Sequence, residues 1–171
     1  MNWSKVKRIS IVGPSGSGKS TLAVKLGKVL NLPVHHIDCY FIKPGWQAGD
    51  KLVVAKQIEE VTKTDEWIID GNYKLTLENR FKRSDLIIFL NFPLEFCIQS
   101  IKQRHDKKER LGLPEYLKPE DERLTELLDK VTEKGRYATL VPLCEKHKHK
   151  VIELSTREQV NDFEEKYAKR N

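Results

Sequence analysis

Residues Gly13 to Ser20 read GPSGSGKS, and this spacing of glycines, lysine and serine suits one chemistry, the binding of a polyphosphate. Gly13, Ser15, Gly16, Ser17 and Gly18 make a turn with little side-chain bulk, so that successive backbone N–H groups can face one anion. The helix expected to follow favours the same charge at its N-terminus. Lys19 adds an ammonium on a flexible stem for the β- and γ-phosphates, the Ser20 hydroxyl suits Mg²⁺, and Thr21 completes the set that would hold a triphosphate.

Two aspartates stand where strands should end. Asp38 closes the brief apolar start of VHHIDCYF, and Asp70 closes WIID ahead of Gly71. A carboxylate near the γ-phosphate can receive the proton of an acceptor hydroxyl, whereas an anionic phosphate acceptor gains nothing from it. Asp38 therefore favours a hydroxyl acceptor, against the plainer alternative that it caps the next turn. His35 and His36 alternate along a strand, so at most one faces the site, and a metal role lacks a third ligand at suitable spacing. Tyr40, Phe41 and Trp46 fit either a stacking wall or the small core of their own loop. His147 and His149 flank Lys148 in what reads as a solvated turn.

The elements that must position these groups are legible in the apolar pattern. Arg8 to Val12 reads as a β-branched strand, Lys19 to Leu30 as a helix ended by Asn31-Leu32-Pro33, and Val34 to Ile37 as a second strand. A loop, about 39–50, leads to a helix in which Leu52, Val53, Ala55, Ile58 and Val61 share one side. Trp67 to Ile69 and Leu86 to Leu90 are nearly all apolar, as strands covered on both faces are. Pro93 starts a helix carrying Leu94, Cys97, Ile98, Ile101 and Arg104. The segment HDKKERLGLPEYLKPEDER, about 105–123, loses the apolar pattern and reads as a lid-like insertion. Helical spacing returns at Leu124, Leu127, Leu128 and Val131 and again from Tyr137 to Cys144. Val151 to Leu154 is a fifth strand, and a last helix begins at Thr156.

With 171 residues, 33% of them charged and 39% apolar, the chain is expected to fold as one domain over residues 1–171. No apolar run reaches membrane-spanning length and no signal peptide is evident, so a cytoplasmic location and no membrane partner are expected. Cys39, Cys97 and Cys144 are odd in number and far apart, which excludes a disulfide framework or paired zinc knuckle. The net charge of +6 fits nucleic acid or an anionic substrate alike. No Asn-Lys-x-Asp guanine signature occurs.

With the phosphate loop, IIDGNY, DLIIFLNFP and KQRHDKKER all placed, the chain resembles the adenylate-kinase-like P-loop kinases. Within them it is most similar to a bacterial branch labelled DNA topology modulation proteins, over roughly Lys7 to Leu154. The resemblance implies an α/β P-loop NTPase fold: a three-layer sandwich with a five-stranded parallel sheet in the order 2-3-1-4-5, helices on both faces and a small lid. It implies ATP-dependent phosphoryl transfer, with Asp70 organising magnesium and Arg104 closing the lid over the transferring phosphate. Arg110, Arg123 and Arg136 are further lid candidates. The family's Phe-Pro-Arg after Asp-Gly is here Asn72-Tyr73-Lys74, so the usual monophosphate grip is not reproduced. Arg80, on the next helix, either replaces the missing arginine or is solvated.

The expected catalytic set is therefore Lys19, Asp38 and Arg104, with ATP and Mg²⁺ as cofactors and a small-molecule acceptor. A nucleoside monophosphate kinase is the alternative within the enzyme class. A nucleotide-dependent DNA-binding or regulatory protein is the alternative outside it, disfavoured because no helix-turn-helix signature occurs and the lysines are spread along the chain.

Overall fold

A computed structural model describes residues 5–42, 47–107, 123–132 and 137–168. The chain runs β1 (Arg8–Val12), α1 (Lys19–Leu30), β2 (Val34–His36), α2 (Ile37–Phe41), α3 (Lys51–Lys63), β3 (Trp67–Asp70) and α4 (Lys74–Arg83). It continues through β4 (Leu86–Leu90), α5 (Leu94–Lys107), α6 (Arg123–Thr132), α7 (Leu140–Lys146), β5 (Val151–Leu154) and α8 (Arg157–Ala168). All four strand pairings are parallel, in the order β2-β3-β1-β4-β5, as expected.

The strands read as continuous apolar runs because each face of the sheet carries its own core. Ile9, Ile11, Ile68, Leu86 and Ile88 point to one face, where Leu22 and Leu26 of α1, Cys97 and Ile101 of α5, Val131 of α6 and Val160 and Phe163 of α8 cover them. Val12, Ile87 and Phe89 point to the other, beneath Leu77 and Phe81 of α4 and Leu140 and Cys144 of α7. Trp67 and Ile69 share that second side with Val54 and Ile58 of α3. Helices on both faces of a sheet make the three-layer sandwich.

Local signals set the boundaries. Asp50 caps α3 by accepting from the N–H groups of Leu52 and Val53 at 2.8 and 3.0 Å. Asn31 ends α1 in the left-handed region, φ 53°, where asparagine is tolerated. The second strand is shorter than expected. Val34 to His36 pair with β3, and Ile37 then starts a five-residue helix that carries Asp38 in its first turn. The strand pattern misread Ile37 because burial beneath α3 requires an apolar residue in either conformation. His147 also departs from expectation: it is buried, edge-on to Phe81 with ring centroids 5.9 Å apart, and only His149 is exposed.

One ion-paired cluster fastens the start of the sheet. Asp85, just ahead of β4, accepts from the N–H groups of Lys7 and Arg8 at 3.1 and 2.9 Å and from the Arg8 guanidinium at 2.7 Å. Burial raises the Asp85 pKa, but these hydrogen bonds and the Arg8 charge outweigh it and hold the group below its ordinary 3.8. A depressed folded-state pKa stabilises the protein above the unfolded value, and that contribution disappears as pH falls through the folded value. Asp85→Asn is thus expected to cost about 1 to 2 kcal/mol at pH 7 in urea unfolding. The gap between the two proteins should close as the pH is lowered from about 5 to below the depressed pKa, and a pH-independent gap would contradict this assignment.

Candidate functional site

The C-terminal edges of β1, β2 and β3 meet at one crevice. The parallel register sets His36 beside Asp70 and Ile11 beside Asp70, so the loop from Gly13 to Ser20 begins where the two neighbouring strands end. In this fold such a crevice, outside the carboxyl ends of parallel strands, is where ligands gather.

The loop is held in a fixed shape by the rest of the protein. Gly13 adopts φ 144° and Gly16 φ 86°, and a Cβ on Gly16 would stand 2.3 Å from the Cys97 carbonyl oxygen. Only glycine permits both the positive φ and this approach to α5. Asn72 grips Gly13 from β3's exit turn: its Oδ1 accepts from the Gly13 N–H at 3.1 Å and its Nδ2 donates to the Gly13 carbonyl at 2.5 Å. The Lys19 ammonium donates to the Pro14 carbonyl at 2.8 Å, and the Ser15 N–H donates to the Tyr137 hydroxyl at 3.1 Å. Both bonds fall on the same peptide unit.

Polar side chains converge on Lys19 and Ser20. The Ser20 hydroxyl donates to Asp70 Oδ2 at 2.8 Å, and His36 Nδ1 donates to Asp70 Oδ1 at 2.5 Å. Burial pushes the Lys19 ammonium below its ordinary pKa of 10.5, the carboxylates of Asp70 and Asp38 pull it back up, and the Arg104 guanidinium opposes them. Asp38, Asp70 and Arg104 therefore each lie close enough to Lys19 to act on its charge, and Asp38 is exposed while Asp70 is buried. Ser15, Gly16, Gly18, Ser20 and Thr21 are partly buried along the same loop, and Ser17 is buried beneath it.

Arg80 is neither solvated nor an open grip. It is fully buried, its Nη2 donates to the Gly71 carbonyl at 2.8 Å, and its Nε and Nη1 find no hydrogen-bond partner among the described residues. Burial lowers its pKa to about 10 and Asp70 raises it, so the guanidinium remains charged at neutral pH. Tyr40 and Phe41 pack against the core under α3, with Phe41 edge-on to Tyr73 at 4.8 Å, which favours the loop-core reading for these two. Trp46, Arg110 and Arg136 lie outside the described residues, as does most of the lid-like segment, and Arg123 opens α6.

The sequence reading missed three contributors. In the sequence Asn72 shows only as a departure from a family pattern and Tyr137 only as an apolar position at helical spacing, and Arg157 carries no signal. The Arg157 guanidinium lies 5.5 and 5.4 Å from the ring centroids of Phe92 and Phe96 and borders Gly18, so an exposed cationic plane sits next to the phosphate loop.

Comparison with known proteins agrees with this architecture. Shikimate kinase from Bacteroides thetaiotaomicron superposes with a TM-score of 0.59 at 16% identity, covering 96% of this chain and 97% of that one. A gluconokinase from Sinorhizobium meliloti superposes with a TM-score of 0.54 at 12% identity, covering 96% and 91%. The chain thus has the fold of the P-loop small-molecule kinases. In sequence it is distantly homologous to the cytidylate kinase of Lawsonia intracellularis, 43% identical over 60 residues, 32% of this chain and 27% of the relative. It also matches the tRNA dimethylallyltransferase of Prochlorococcus marinus, 29% identical over 89 residues, 52% of this chain and 30% of the relative. The match therefore spans less than a third of either curated relative. No family model matches the chain.

The two-way grip on Gly13 makes Asn72 the test of how the loop is held. Replacing it with alanine leaves a partly buried N–H and C=O unpaired, and a loss of about 1 to 3 kcal/mol in urea unfolding is expected. A loss within 0.5 kcal/mol, roughly that of an ordinary surface change, would show that water replaces the amide fully.

Proposed function

We propose that the protein is an ATP- and Mg²⁺-dependent phosphotransferase of the adenylate-kinase-like group, moving the γ-phosphate to the hydroxyl of a small metabolite. The observation that carries the reading is the convergence of Lys19, Asp38, Asp70 and Arg104 at the mouth of a glycine loop that ends a parallel strand. The loop N–H groups and the N-terminus of α1 bind the phosphates, Lys19 turns from Pro14 onto the β- and γ-oxygens, and Arg104 offsets charge on the transferring group. Arg157, on its phenylalanine platform beside Gly18, offers the base a flat cationic surface.

The residues present fit a magnesium ion. Among the described residues no cluster of three or more His, Cys, Asp or Glu exists to cage a metal. Mg²⁺ does not need one, since it takes one or two protein groups and completes its shell with phosphates and water. Ser20 gives its proton to Asp70 Oδ2, which leaves hydroxyl lone pairs for a hard cation. Ser20, oriented by Asp70, would hold the ion, which would supply positive charge to offset that of the phosphates.

Asp38 supports a hydroxyl acceptor. An exposed carboxylate beside the γ-phosphate repels an anionic acceptor and can receive the proton of a hydroxyl. The similarity of the fold to enzymes named for shikimate and gluconate supports the same choice. The local match to a cytidylate kinase favours a second reading, transfer to a nucleoside monophosphate. A duplex-binding role has less support: Lys146 pairs with Glu78, Lys148 with Glu145, and Lys150 donates to the carbonyls of Lys82 and Ser84, so the densest basic run is engaged internally. Among the described residues no helix is long and apolar enough to cross a membrane.

ATP turnover against a panel of hydroxyl metabolites, nucleosides and monophosphates tests the reading. Lys19→Ala should abolish transfer, and Asp38→Asn should lower kcat by roughly 10² to 10⁴ with a hydroxyl acceptor. If only monophosphates accept and Asp38→Asn keeps the parent rate, the hydroxyl assignment is wrong and the second reading stands.

A further inference from the structure

The two histidines of VHHIDCYF part company at the sheet edge. Residues directly paired in parallel strands project to the same face, and His36 is the partner of Asp70. His35 turns the other way, its Nδ1 2.8 Å from the Tyr40 hydroxyl. His36 is 8% exposed and Asp70 4%, so their bond forms where water competes little. A carboxylate only accepts, so His36 Nδ1 carries the proton in this bond.

We propose that His36 is a positioning residue for the metal and nucleotide site, acting through Asp70 on Ser20; the proposal rests on the nucleotide reading above. The chain of contacts is continuous. His36 fixes Asp70 Oδ1 at 2.5 Å, which aims Oδ2 at the Ser20 hydroxyl at 2.8 Å, and Ser20 donates its proton to Oδ2 with its lone pairs turned outward. Without the His36 donor, rotation about the Asp70 side chain lets Oδ2 leave Ser20, and a serine hydroxyl free to rotate must be ordered anew when a cation binds, which weakens binding. Groups that orient a ligand in this way typically set metal affinity by roughly 10- to 100-fold. The role needs a short side chain with an N–H at the δ position, and asparagine supplies one at the same number of bonds from the backbone.

The experiment compares ATP dissociation constants in EDTA and in Mg²⁺, by displacement of a fluorescent nucleotide, for the parent protein, His36→Ala and His36→Asn. Far-UV circular dichroism and Tm are followed for each. The expected result is that His36→Ala binds metal-free ATP as the parent does but loses ~10-fold or more of the tightening by Mg²⁺, and that His36→Asn recovers most of it. A His36→Ala protein with the parent's Mg²⁺ enhancement overturns the proposal. So does a folded His36→Asn protein that loses the enhancement; should His36→Ala fail to fold, His36→Asn alone decides. Failure of the parent to bind ATP with or without Mg²⁺ is a different outcome, and it overturns the nucleotide reading together with everything that rests on it.

Discussion

The Asp70 carboxylate ties three elements into one edge. It ends β3, it receives the hydroxyl of Ser20 from the first turn of α1, and it receives the imidazole of His36 from the end of β2. A buried carboxylate tolerates few arrangements, because each oxygen left unpaired costs the desolvation of a charged group. Sheet register, loop exit and helix start must all be right for both oxygens to be engaged at once. The fully buried Arg80 guanidinium adds to the constraint, holding the Gly71 carbonyl next door with Asp70 in its field. Its Nε and Nη1, unpaired among the described residues, make it costly by itself, so the turn after β3 is fixed by a cation that gains from the neighbouring anion.

The phosphate loop shows the same economy of position. One peptide unit, Pro14–Ser15, is pinned at its carbonyl by Lys19 and at its N–H by Tyr137. The two groups of a trans peptide point in opposite directions, so the lysine and the tyrosine brace the loop from opposite sides. Asn72 fixes the residue before them and the Cys97 carbonyl crowds Gly16. A loop shaped by its surroundings presents its donors without reorganising, which is how such a site gains electrostatic leverage. Tyr137 also packs against the cores on both faces of the sheet. The loop is therefore braced by a residue that is itself held by both cores.

The strands, the loop and α1 were legible because each carries its signal within a few residues: continuous β-branched runs, glycine spacing, an apolar helical stripe. Partner choice was not. Ser15 and Tyr137 are 122 residues apart, Gly13 and Asn72 are 59 apart, and periodicity reports which face a residue takes but not what it meets there. His36 was narrowed to one of two by strand alternation, and only the register with β3 chose between them. Arg80 defeated the reading for a different reason. Arginine is usually exposed, and a buried one announces itself in sequence only as an arginine on the apolar side of a short helix. His147 was misread on the same grounds, since a neighbourhood of lysines suggests solvent although the ring itself lies against Phe81.

The hydrogen-bond accounting also bears on the proposed proton acceptor. Two carboxylates border the crevice, and in a phosphoryl transfer to a hydroxyl either would be near enough in principle to take the proton. Asp70 is the less suited: it is buried, and both its oxygens already accept from protein donors, so a proton taken there would compete with the bonds to Ser20 and His36. Asp38 stands exposed on the first turn of α2, within the field of Lys19 but in contact with water. Under the proposed function, a proton received there could leave to solvent after each turnover. The environments would then divide the labour as in other pairs of carboxylates that share a site, with the buried one orienting and the exposed one exchanging protons. That VHHIDCYF supplies both His36 and Asp38 then has a geometric reason. The last strand residue pairs with Asp70, and two residues further on α2 has already turned the chain so that Asp38 is exposed, on the proposed acceptor side.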